Sequence, residues 1–264
     1  MTLRIQDQAS ALSALTYLNA AGRGRVERVT LPVIRLDVER LPAGLEAVLV
    51  ASDLQGRTAP DGQALLGEAL AAHCLELAAG GLLPDPAATG VILAGDLYAE
   101  LGKRGGLGDV RGVWRAFAPF RWVVGVAGNH DAFSEDPRDR GGLQRFKRRG
   151  HLVLDGDQVE LDGLVFGGVS GIVGNPRKPN RRVLDDFECE LAAASEGADV
   201  LVLHEGPDAP DRRGNPDLRA ALSGVAPPLV ICGHRHWSSP LAELPGGQQV
   251  LNVDARAVVL RARP

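Results

Sequence analysis

The sequence predicts an α/β fold in which two mixed sheets pack together and helices cover their outer faces. Two observations support this prediction. In the first half of the chain, apolar runs of strand length alternate with longer segments of helical pattern. In the second half, short apolar runs follow one another closely, with turn signals at Asp155-Gly156 and Asp162-Gly163. The alternation favours one sheet with crossover helices, and the strand-rich half favours a second sheet packed against it.

The individual elements follow from these patterns in chain order. The predicted helices cover residues 10–21, 62–79, 109–118, 143–149 and 183–195. The predicted strands cover residues 26–36, 45–51, 90–94, 122–127, 151–154, 157–161, 164–169, 199–203, 228–232 and much of 240–262. The first helix rests on Leu12, Leu15 and Leu18, which recur at helical spacing. The first strand rests on alternating apolar residues, although Pro32 weakens it.

Composition indicates an ordinary globular chain. The sequence has 264 residues, of which 45% are hydrophobic, so it can bury a large core. We find no internal repeat, low-complexity stretch or clear linker, and therefore predict one domain over residues 1–264, with residues 1–44 as an N-terminal appended element. The formal net charge of −4 excludes a global basic field that would hold nucleic acid or an anionic membrane.

Cysteine usage and the N-terminal region predict a cytoplasmic location. The three cysteines, Cys74, Cys189 and Cys232, form no CxxC pair, and an odd number argues against a disulfide framework. The N-terminal region lacks a signal-peptide pattern because Arg4 and Asp7 interrupt it. No run approaches the roughly 18 apolar residues that a membrane span needs. We expect no membrane partner.

Five short segments place Asp, Asn, Gln or His directly after an apolar run. They are Ser-Asp-Leu-Gln-Gly at 52–56, Gly-Asp-Leu-Tyr at 95–98, Gly-Asn-His-Asp at 128–131, Leu-His-Glu at 203–205 and Gly-His-Arg-His at 233–236. In open α/β sheets, ligands bind at the carboxyl ends of the strands, which is where these side chains fall. Oxygen and imidazole donors are the set that holds divalent metals in a hydrolytic site. The sequence therefore predicts a metal centre at a sheet edge.

The ordered set resembles the calcineurin-like metallophosphoesterase superfamily. The family pattern is Asp-x-His, Gly-Asp, Gly-Asn-His-Asp/Glu, His and Gly-His-x-His, and the match runs from Asp53 to His236. The resemblance implies a four-layer α/β/β/α sandwich of two mixed sheets flanked by helices. It also implies an enzyme with two divalent metal ions, which hydrolyses a phosphoester or phosphoanhydride with a metal-activated hydroxide.

By this resemblance, two sets of metal ligands share one bridging carboxylate. One metal would be held by Asp53, Gln55, Asp96 and His236. The other would be held by Asp96, Asn129, His204 and His234. Next to them, His130 would face the substrate and donate a proton to the leaving oxygen, and Asp131 would orient it.

Position 55 departs from the family pattern, because Gln stands where His is the rule. A neutral amide oxygen is a harder and weaker donor than imidazole, so the preference should shift from iron or zinc towards manganese or magnesium. Gln at this position is similar to a branch of the family, the manganese-dependent ADP-ribose and CDP-alcohol diphosphatases. We therefore expect manganese as the favoured metal.

Four further residues are predicted to contact the substrate. Arg57 follows the first motif closely, and Tyr98 ends the second motif, close to Asp96, and could stack on a nucleobase. Arg177 and Lys178 belong to a cationic loop over 175–182, which is either a solvated surface loop or a phosphate clamp at the mouth of the site.

These residues predict a phosphodiesterase or diphosphatase that acts on a small nucleotide-like substrate. Two alternatives stay open. One is a phosphomonoesterase or a nuclease acting on nucleic-acid ends, and the other is a non-catalytic scaffold with the same fold. The expected partner is a small phosphorylated substrate of nucleotide type, with nucleic acid as the alternative. The sequence says nothing about the oligomeric state.

Overall fold

Apolar strand segments assemble into two mixed sheets in this computed structural model, which describes residues 3–223 and 227–263. Elements are numbered in chain order. Within the described residues the larger sheet has eight strands, in the spatial order β4 (Arg57–Thr58), β1 (Ile5–Gly22), β2 (Arg25–Val38), β18 (Arg256–Ala262), β3 (Ala47–Ser52), β5 (Thr89–Leu93), β7 (Trp122–Gly125) and β9 (Leu152–Val153). The smaller sheet has six described strands, in the order β10 (Asp157–Leu161), β11 (Leu164–Val169), β14 (Val200–Glu205), β15 (Leu229–Gly233), β17 (Gln249–Asn252) and β16 (Leu241–Glu243).

Short pairs and helices complete the described part of the chain. Two two-stranded pairs join β6 (Gly108–Asp109) to β8 (Asp131–Ala132) and β12 (Ile172–Val173) to β13 (Arg181–Arg182). The α-helices of the described residues are α1 (Leu66–Ala79), α2 (Arg111–Ala116), α3 (Gly142–Lys147), α4 (Leu184–Ser195) and α5 (Pro216–Leu222), and a 3₁₀ turn covers Pro86–Ala88. None of the described helices is long and apolar enough to cross a membrane.

Three apolar cores separate four layers. The first lies between the larger sheet and helices α1 to α3, and includes Leu49 and Leu70. The second lies between the two sheets and includes Val50 and Phe166. The third, which includes Phe187, lies between the smaller sheet and helices α4 and α5. Because both faces of the central strands are covered, β3, β5, β14 and β15 are buried at every position. This arrangement confirms the predicted four-layer sandwich.

The parallel strands of each sheet place their carboxyl ends at one edge of that sheet. Strands β3, β5, β7 and β9 are parallel, and so are β11, β14, β15 and β17. The carboxyl ends of β3, β5 and β7 therefore lie at one edge of the larger sheet, and those of β14 and β15 lie at one edge of the smaller. All five sequence motifs fall at these ends.

The helix predicted over residues 10–21 is wrong, because this segment lies in β1. A long antiparallel hairpin joins β1 to β2, and β2 continues the larger sheet by pairing in parallel with β18. A register shift between Ala11 and Ser13 leaves Leu12 as an extra residue, so Leu12 and Leu15 pack against the same core although they are three residues apart. The bulge thus imitates helical spacing.

Helix α5 was not predicted from the sequence. The side chain of Asn215 accepts hydrogen bonds from the backbone N–H groups of Asp217 and Leu218, and Pro216 occupies the first turn. Asn followed by Pro is a start signal for a helix, and it was available in the sequence. The helix is only two turns long, which leaves little room for a periodic pattern.

Candidate metal centre

The backbone of the centre is strained at the residues that carry its chemistry. Asp53, Asp96 and His234 each lie just beyond a strand and have φ values of +52°, +54° and +66°. Residues other than glycine rarely adopt this left-handed backbone conformation, and those that do cluster at functional sites. Gly128 passes so close to Asp96 that a methyl group at position 128 would collide with the Asp96 amide and carboxylate. The turns therefore depend on this set of residues, and position 128 requires a glycine.

The buried carboxylate of Asp131 holds two of these turns together. Its Oδ2 accepts hydrogen bonds from the backbone N–H of Asp96 at 2.9 Å and of Gly128 at 2.8 Å, and its Oδ1 accepts one from Leu97 at 2.7 Å. The Asp131 carboxylate therefore acts on the backbone of these turns, whereas the sequence suggested that it orients the His130 ring. The ring of His130 is instead held by the carbonyl of Gly106, 2.9 Å from its Nδ1.

Three imidazoles are oriented in the same way, each through Nδ1. The Nδ1 of His204 donates to the carbonyl of Ala94 at 2.9 Å, since a carbonyl can only accept. The Nδ1 of His236 lies 3.0 Å from Oδ2 of Asp254, and His130 is bound to Gly106 as described. Tying one ring nitrogen to an acceptor leaves Nε2 as the free donor or ligand atom, which is the usual arrangement of metal-binding histidines.

Asp96, His204 and His234 form the tightest group of potential ligands. Among the described His, Cys, Asp and Glu side chains, these three place their ligand atoms within 4.8 Å of one another. The Nε2 of His204 lies 3.3 Å from Oδ2 of Asp96, and the rings of His204 and His234 are 5.1 Å apart. Three convergent donors from three different strand ends make a site for one cation.

Asp53, Gln55 and His236 lie beside this group with other partners. Oδ2 of Asp53 accepts from the Ser52 hydroxyl at 2.6 Å and from the backbone N–H of His234 at 2.8 Å. Gln55 turns its amide nitrogen towards Asp96, at 2.7 Å from Oδ2. His236 is exposed. Asp53, Gln55 and His236 are therefore neighbours of the Asp96–His204–His234 group, but they are less convergent.

Burial and charge together set the protonation of the cluster. Burial alone would lower the pKa of His204, but Asp96 and Asp53 raise it to about 10. Burial and the nearby His204 lower the pKa of His234 to about 4. Burial also favours the neutral form of Asp96, but His204 and His130 outweigh it and hold the Asp96 pKa below its usual range. Without a cation, His204 thus carries the proton that balances the Asp96 carboxylate, while His234 stays neutral.

A cleft of about 660 Å³ opens beside this centre. From the predicted residues, the cleft is lined by Asp53, Gln55, Tyr98, His130 and His236. From elsewhere in the chain, it is lined by Tyr17, Asn19, Ala20, Ala99, Glu100, Lys103, Arg104, Gly105, Gly106, Asp254 and Ala255. Its volume suits a ligand of nucleotide or drug size.

The family is decided by a comparison with protein-family models. The model for the calcineurin-like phosphoesterases matches residues 47–238, well over half of the chain. The chain belongs to the calcineurin-like phosphoesterase family. This confirms the predicted superfamily and makes the chain a hydrolase that acts on phosphoesters. A comparison with curated proteins found no match.

Solved structures show the same fold. The crystal structure of TT1561 of Thermus thermophilus is 15% identical, with a TM-score of 0.51 over 79% of this chain and 88% of that one. A second crystal structure is 14% identical, with a TM-score of 0.52 over 80% of this chain and 90% of that one. At this identity the likeness concerns the fold alone. The family match begins at residue 47, so the β1–β2 hairpin lies outside it.

The phosphoesterase has ligand atoms that suit a divalent cation. Members of the family typically use divalent metals, and one buried atom of this cluster, Oδ1 of Asn129, has no hydrogen-bond partner. A buried polar atom without a partner is unfavourable by about 1–3 kcal/mol. A cation bound between Asn129, Asp96 and His204 would give this oxygen a partner, and would displace the proton from His204. The donor set therefore fits a metal at this position.

Of the four predicted substrate contacts, one lines the cleft, one packs behind that residue, and two lie elsewhere. Tyr98 lines the cleft, and Arg57 stacks 5.7 Å from the centre of its ring. Arg57 is itself held by the carbonyls of Ala99 at 2.8 Å and Gln63 at 3.1 Å, so it supports Tyr98 and does not line the cleft. Arg177 and Lys178 line a separate groove.

Several residues of the cleft were missed by the sequence analysis. Asp254 orients His236, and it follows the apolar run of β17 in the same way as the recognised motifs, so a signal existed. Tyr17 and Asn19 come from the N-terminal hairpin, where nothing in the local pattern indicates a site. Lys103 and Arg104 bring two cations from a Gly-rich loop. These residues reach the centre through tertiary structure.

Proposed function

We propose that the chain is a metal-dependent phosphodiesterase or diphosphatase that acts on a small nucleotide-like substrate. The observation that supports it is the cleft beside the centre, where Asp53, His130 and His236 lie together with Tyr98 and with the cations Lys103 and Arg104. An aromatic face can stack on a base, and the cations can balance a second phosphate. A substrate with one base and two phosphates matches these features and the volume of the cleft.

Each residue has a distinct task in this proposal. Asp96, Asn129, His204 and His234 would hold one cation, and Asp53, Gln55, Asp96 and His236 would hold the second. Bound divalent cations supply a water of lowered pKa and offset charge on the phosphoryl oxygens. The chain's own contribution is to position these ligands, through backbone strain and through the Asp131 carboxylate.

His130 would act as the general acid. Its Nδ1 proton is committed to Gly106, so the proton that can be exchanged lies on Nε2. That atom faces Oδ2 of Asp96 at 4.0 Å, at the edge of the cleft. From there it can donate to the departing oxygen of the substrate, a step that contributes typically 10²–10⁴-fold to the rate.

We propose manganese as the favoured metal and the cytoplasm as the location. Gln55, with an amide in place of imidazole, favours hard ions such as manganese or magnesium. Cys74, Cys189 and Cys232 are free thiols, which fits a reducing compartment.

A nuclease is the second candidate, because the groove that contains Arg177 and Lys178 adds positive charge near the centre. A non-catalytic scaffold is disfavoured, since the centre retains both His130 and a convergent ligand group. The deciding experiment is an activity screen with matched metals. It covers nucleoside diphosphate-X compounds, cyclic nucleotides, phosphomonoesters and short oligonucleotides.

We expect the nucleoside diphosphate-X compounds to be hydrolysed fastest, with manganese. Asp96→Ala should abolish hydrolysis of every substrate while circular dichroism shows an intact fold. Asp186→Ala, on the exposed face of helix α4, is the control and should retain activity. A preference for oligonucleotide ends would favour the nuclease, and metal binding without any turnover would favour the scaffold.

A further inference from the structure

A second groove lies next to the cleft, on the other side of residues 105–107. It has a volume of about 440 Å³ and is formed by two loops, 137–140 and 176–182. Its floor includes Asp131, Ala132 and Phe133. Apart from Asp131, the residues that line the groove lie outside the five motifs, and the phosphodiesterase or diphosphatase proposed above uses none of its cationic side chains.

Five cations project from these loops without a carboxylate partner. They are Arg138, Arg140, Arg177, Lys178 and Arg181. Within the described residues, none of these five side chains makes an ion pair or a hydrogen bond with another side chain.

Two neighbouring cations are paired. Arg182 is paired with Asp155 at 2.6 Å, and Arg145 is paired with Asp139, which removes the charge of Asp139 from the groove. The paired arginines hold the loops in place. The five unpaired cations are available to bind a ligand. Like charges gathered in one groove repel one another unless an anion balances them.

The groove is attached to the loop that carries the centre. The side-chain nitrogen of Asn180 donates to the carbonyls of Gly128 at 2.8 Å and Asp131 at 2.7 Å. Those carbonyls flank Asn129 and His130 in the chain. A ligand in the groove therefore lies against the same backbone segment that positions the proposed general acid and a metal ligand.

We propose that this groove binds adjacent phosphate groups, independently of any metal. Guanidinium groups match phosphate oxygens through paired hydrogen bonds, and four of the five cations are arginines. Phe133, the aromatic residue of the lining, is buried at 6% exposure, so it offers no face to a base. The groove therefore recognises the phosphates of its ligand. That these phosphates belong to a distal part of the substrate rests on the proposed function, but the phosphate binding itself does not.

The test is isothermal titration calorimetry on the full chain, as purified and again with EDTA. The probes are tripolyphosphate, inorganic phosphate and a single-stranded oligothymidylate. The variant is the double substitution Arg177→Glu/Lys178→Glu, whose side chains are exposed. The matched control is Arg40→Glu/Arg263→Glu, which reverses the same charge at the opposite end of the larger sheet, also at exposed positions.

Tripolyphosphate should bind with EDTA present, more tightly than inorganic phosphate, and with an affinity that falls as salt increases. The groove variant should weaken binding by about tenfold, and the control should leave it unchanged. Binding of the oligothymidylate, with the same loss in the groove variant, would identify a nucleic-acid backbone as the source of the phosphates. Equal losses in variant and control, or no binding of either polyphosphorylated probe, would overturn the proposal. Because EDTA removes the metals, an inactive enzyme would not affect this outcome.

Discussion

The side-chain nitrogen of Gln55 donates a hydrogen bond to Oδ2 of Asp96 over 2.7 Å. Asp96 is the residue that the two proposed metal positions share, and its Oδ1 already accepts from the backbone N–H of His130 at 2.8 Å. Gln55 therefore acts on the shared carboxylate, whereas the sequence suggested a direct metal ligand. For its oxygen to reach a cation, the amide would have to turn and give up this hydrogen bond.

We expect Gln55→His to bind manganese more tightly and to accept zinc or iron more readily than the wild type. Imidazole is the stronger donor, and a ligand at this position would no longer compete with the bond to Asp96. Calorimetric metal titration of both proteins provides the measurement, with Gln63→His, an exposed change eight residues away, as the control. Identical manganese affinity and metal preference in wild type and Gln55→His would show that residue 55 is not a ligand.

His130→Ala should slow substrates with poor leaving groups far more than those with good ones. The loss should be about 10²–10⁴-fold for an alkyl phosphodiester, where the leaving oxygen needs a proton, and small for a nitrophenyl ester. Steady-state kinetics on the two esters measure the contrast. An equal loss on both would mean that His130 positions the substrate instead of protonating it.

Asp131→Asn should reduce both stability and activity. The wild-type carboxylate accepts three backbone hydrogen bonds, from Asp96, Leu97 and Gly128. The amide of Asn has a single acceptor oxygen, and its NH₂ group would face a backbone N–H that needs an acceptor. We expect the free energy of unfolding to fall by about 2–4 kcal/mol, measured by urea denaturation. Asp136→Asn, an exposed residue, should change it little. A variant as stable as the wild type would contradict the role of Asp131 as the clamp of these turns.

Tyr17 links the N-terminal hairpin to the centre. Its ring lies against Gly56, where a methyl group would collide with it, and β1 pairs with β4 directly after the Gln55 loop. Tyr17→Ala should raise KM by about tenfold, because it opens the cleft wall and loosens this loop. Tyr17→Phe keeps the ring and should behave as wild type in the same kinetic assay. If the Ala and Phe variants were indistinguishable, the hairpin would have no part in the site.

Asp162 should make stability depend on pH. It joins the two sheets, because its carboxylate accepts two bonds from the Arg121 guanidinium and one from the Trp122 indole at 2.7 Å. The bonds from Arg121 hold the pKa of Asp162 below its usual value. A lowered folded-state pKa stabilises the protein above the unfolded pKa, and this stability disappears as pH falls through the folded value.

Asp162→Asn should therefore cost about 1 kcal/mol above roughly pH 4, and the difference should shrink below that pH and vanish once the folded-state carboxyl is protonated. Asn tolerates the positive φ of this turn, so backbone strain is not altered. Urea denaturation across the pH range compares the two proteins. A difference that persists unchanged at acidic pH would assign the effect to packing and not to charge.

The sequence by itself predicted the two sheets, most strands, four of the helices and the five motifs. These features have local causes: a central strand is an apolar run wherever it lies, and Gly-Asn-His-Asp stays contiguous in the fold. The prediction failed where a distant partner sets the local structure. Leu12 and Leu15 share a face because β2 imposes a bulge on β1, and no pattern within residues 10–21 reports that pairing.

The contacts that support the metal centre could be identified only from the tertiary structure. The Gly106 carbonyl binds the His130 ring, and the Asp131 carboxylate binds the backbone N–H of Asp96. Tyr17 lines the cleft from a hairpin that lies outside the family match. The sequence could identify ligand types, because metal chemistry restricts them to a few side chains. It could not identify these supporting contacts, because a carbonyl, a carboxylate or an aromatic ring can serve wherever the folded chain brings it within hydrogen-bonding or packing distance.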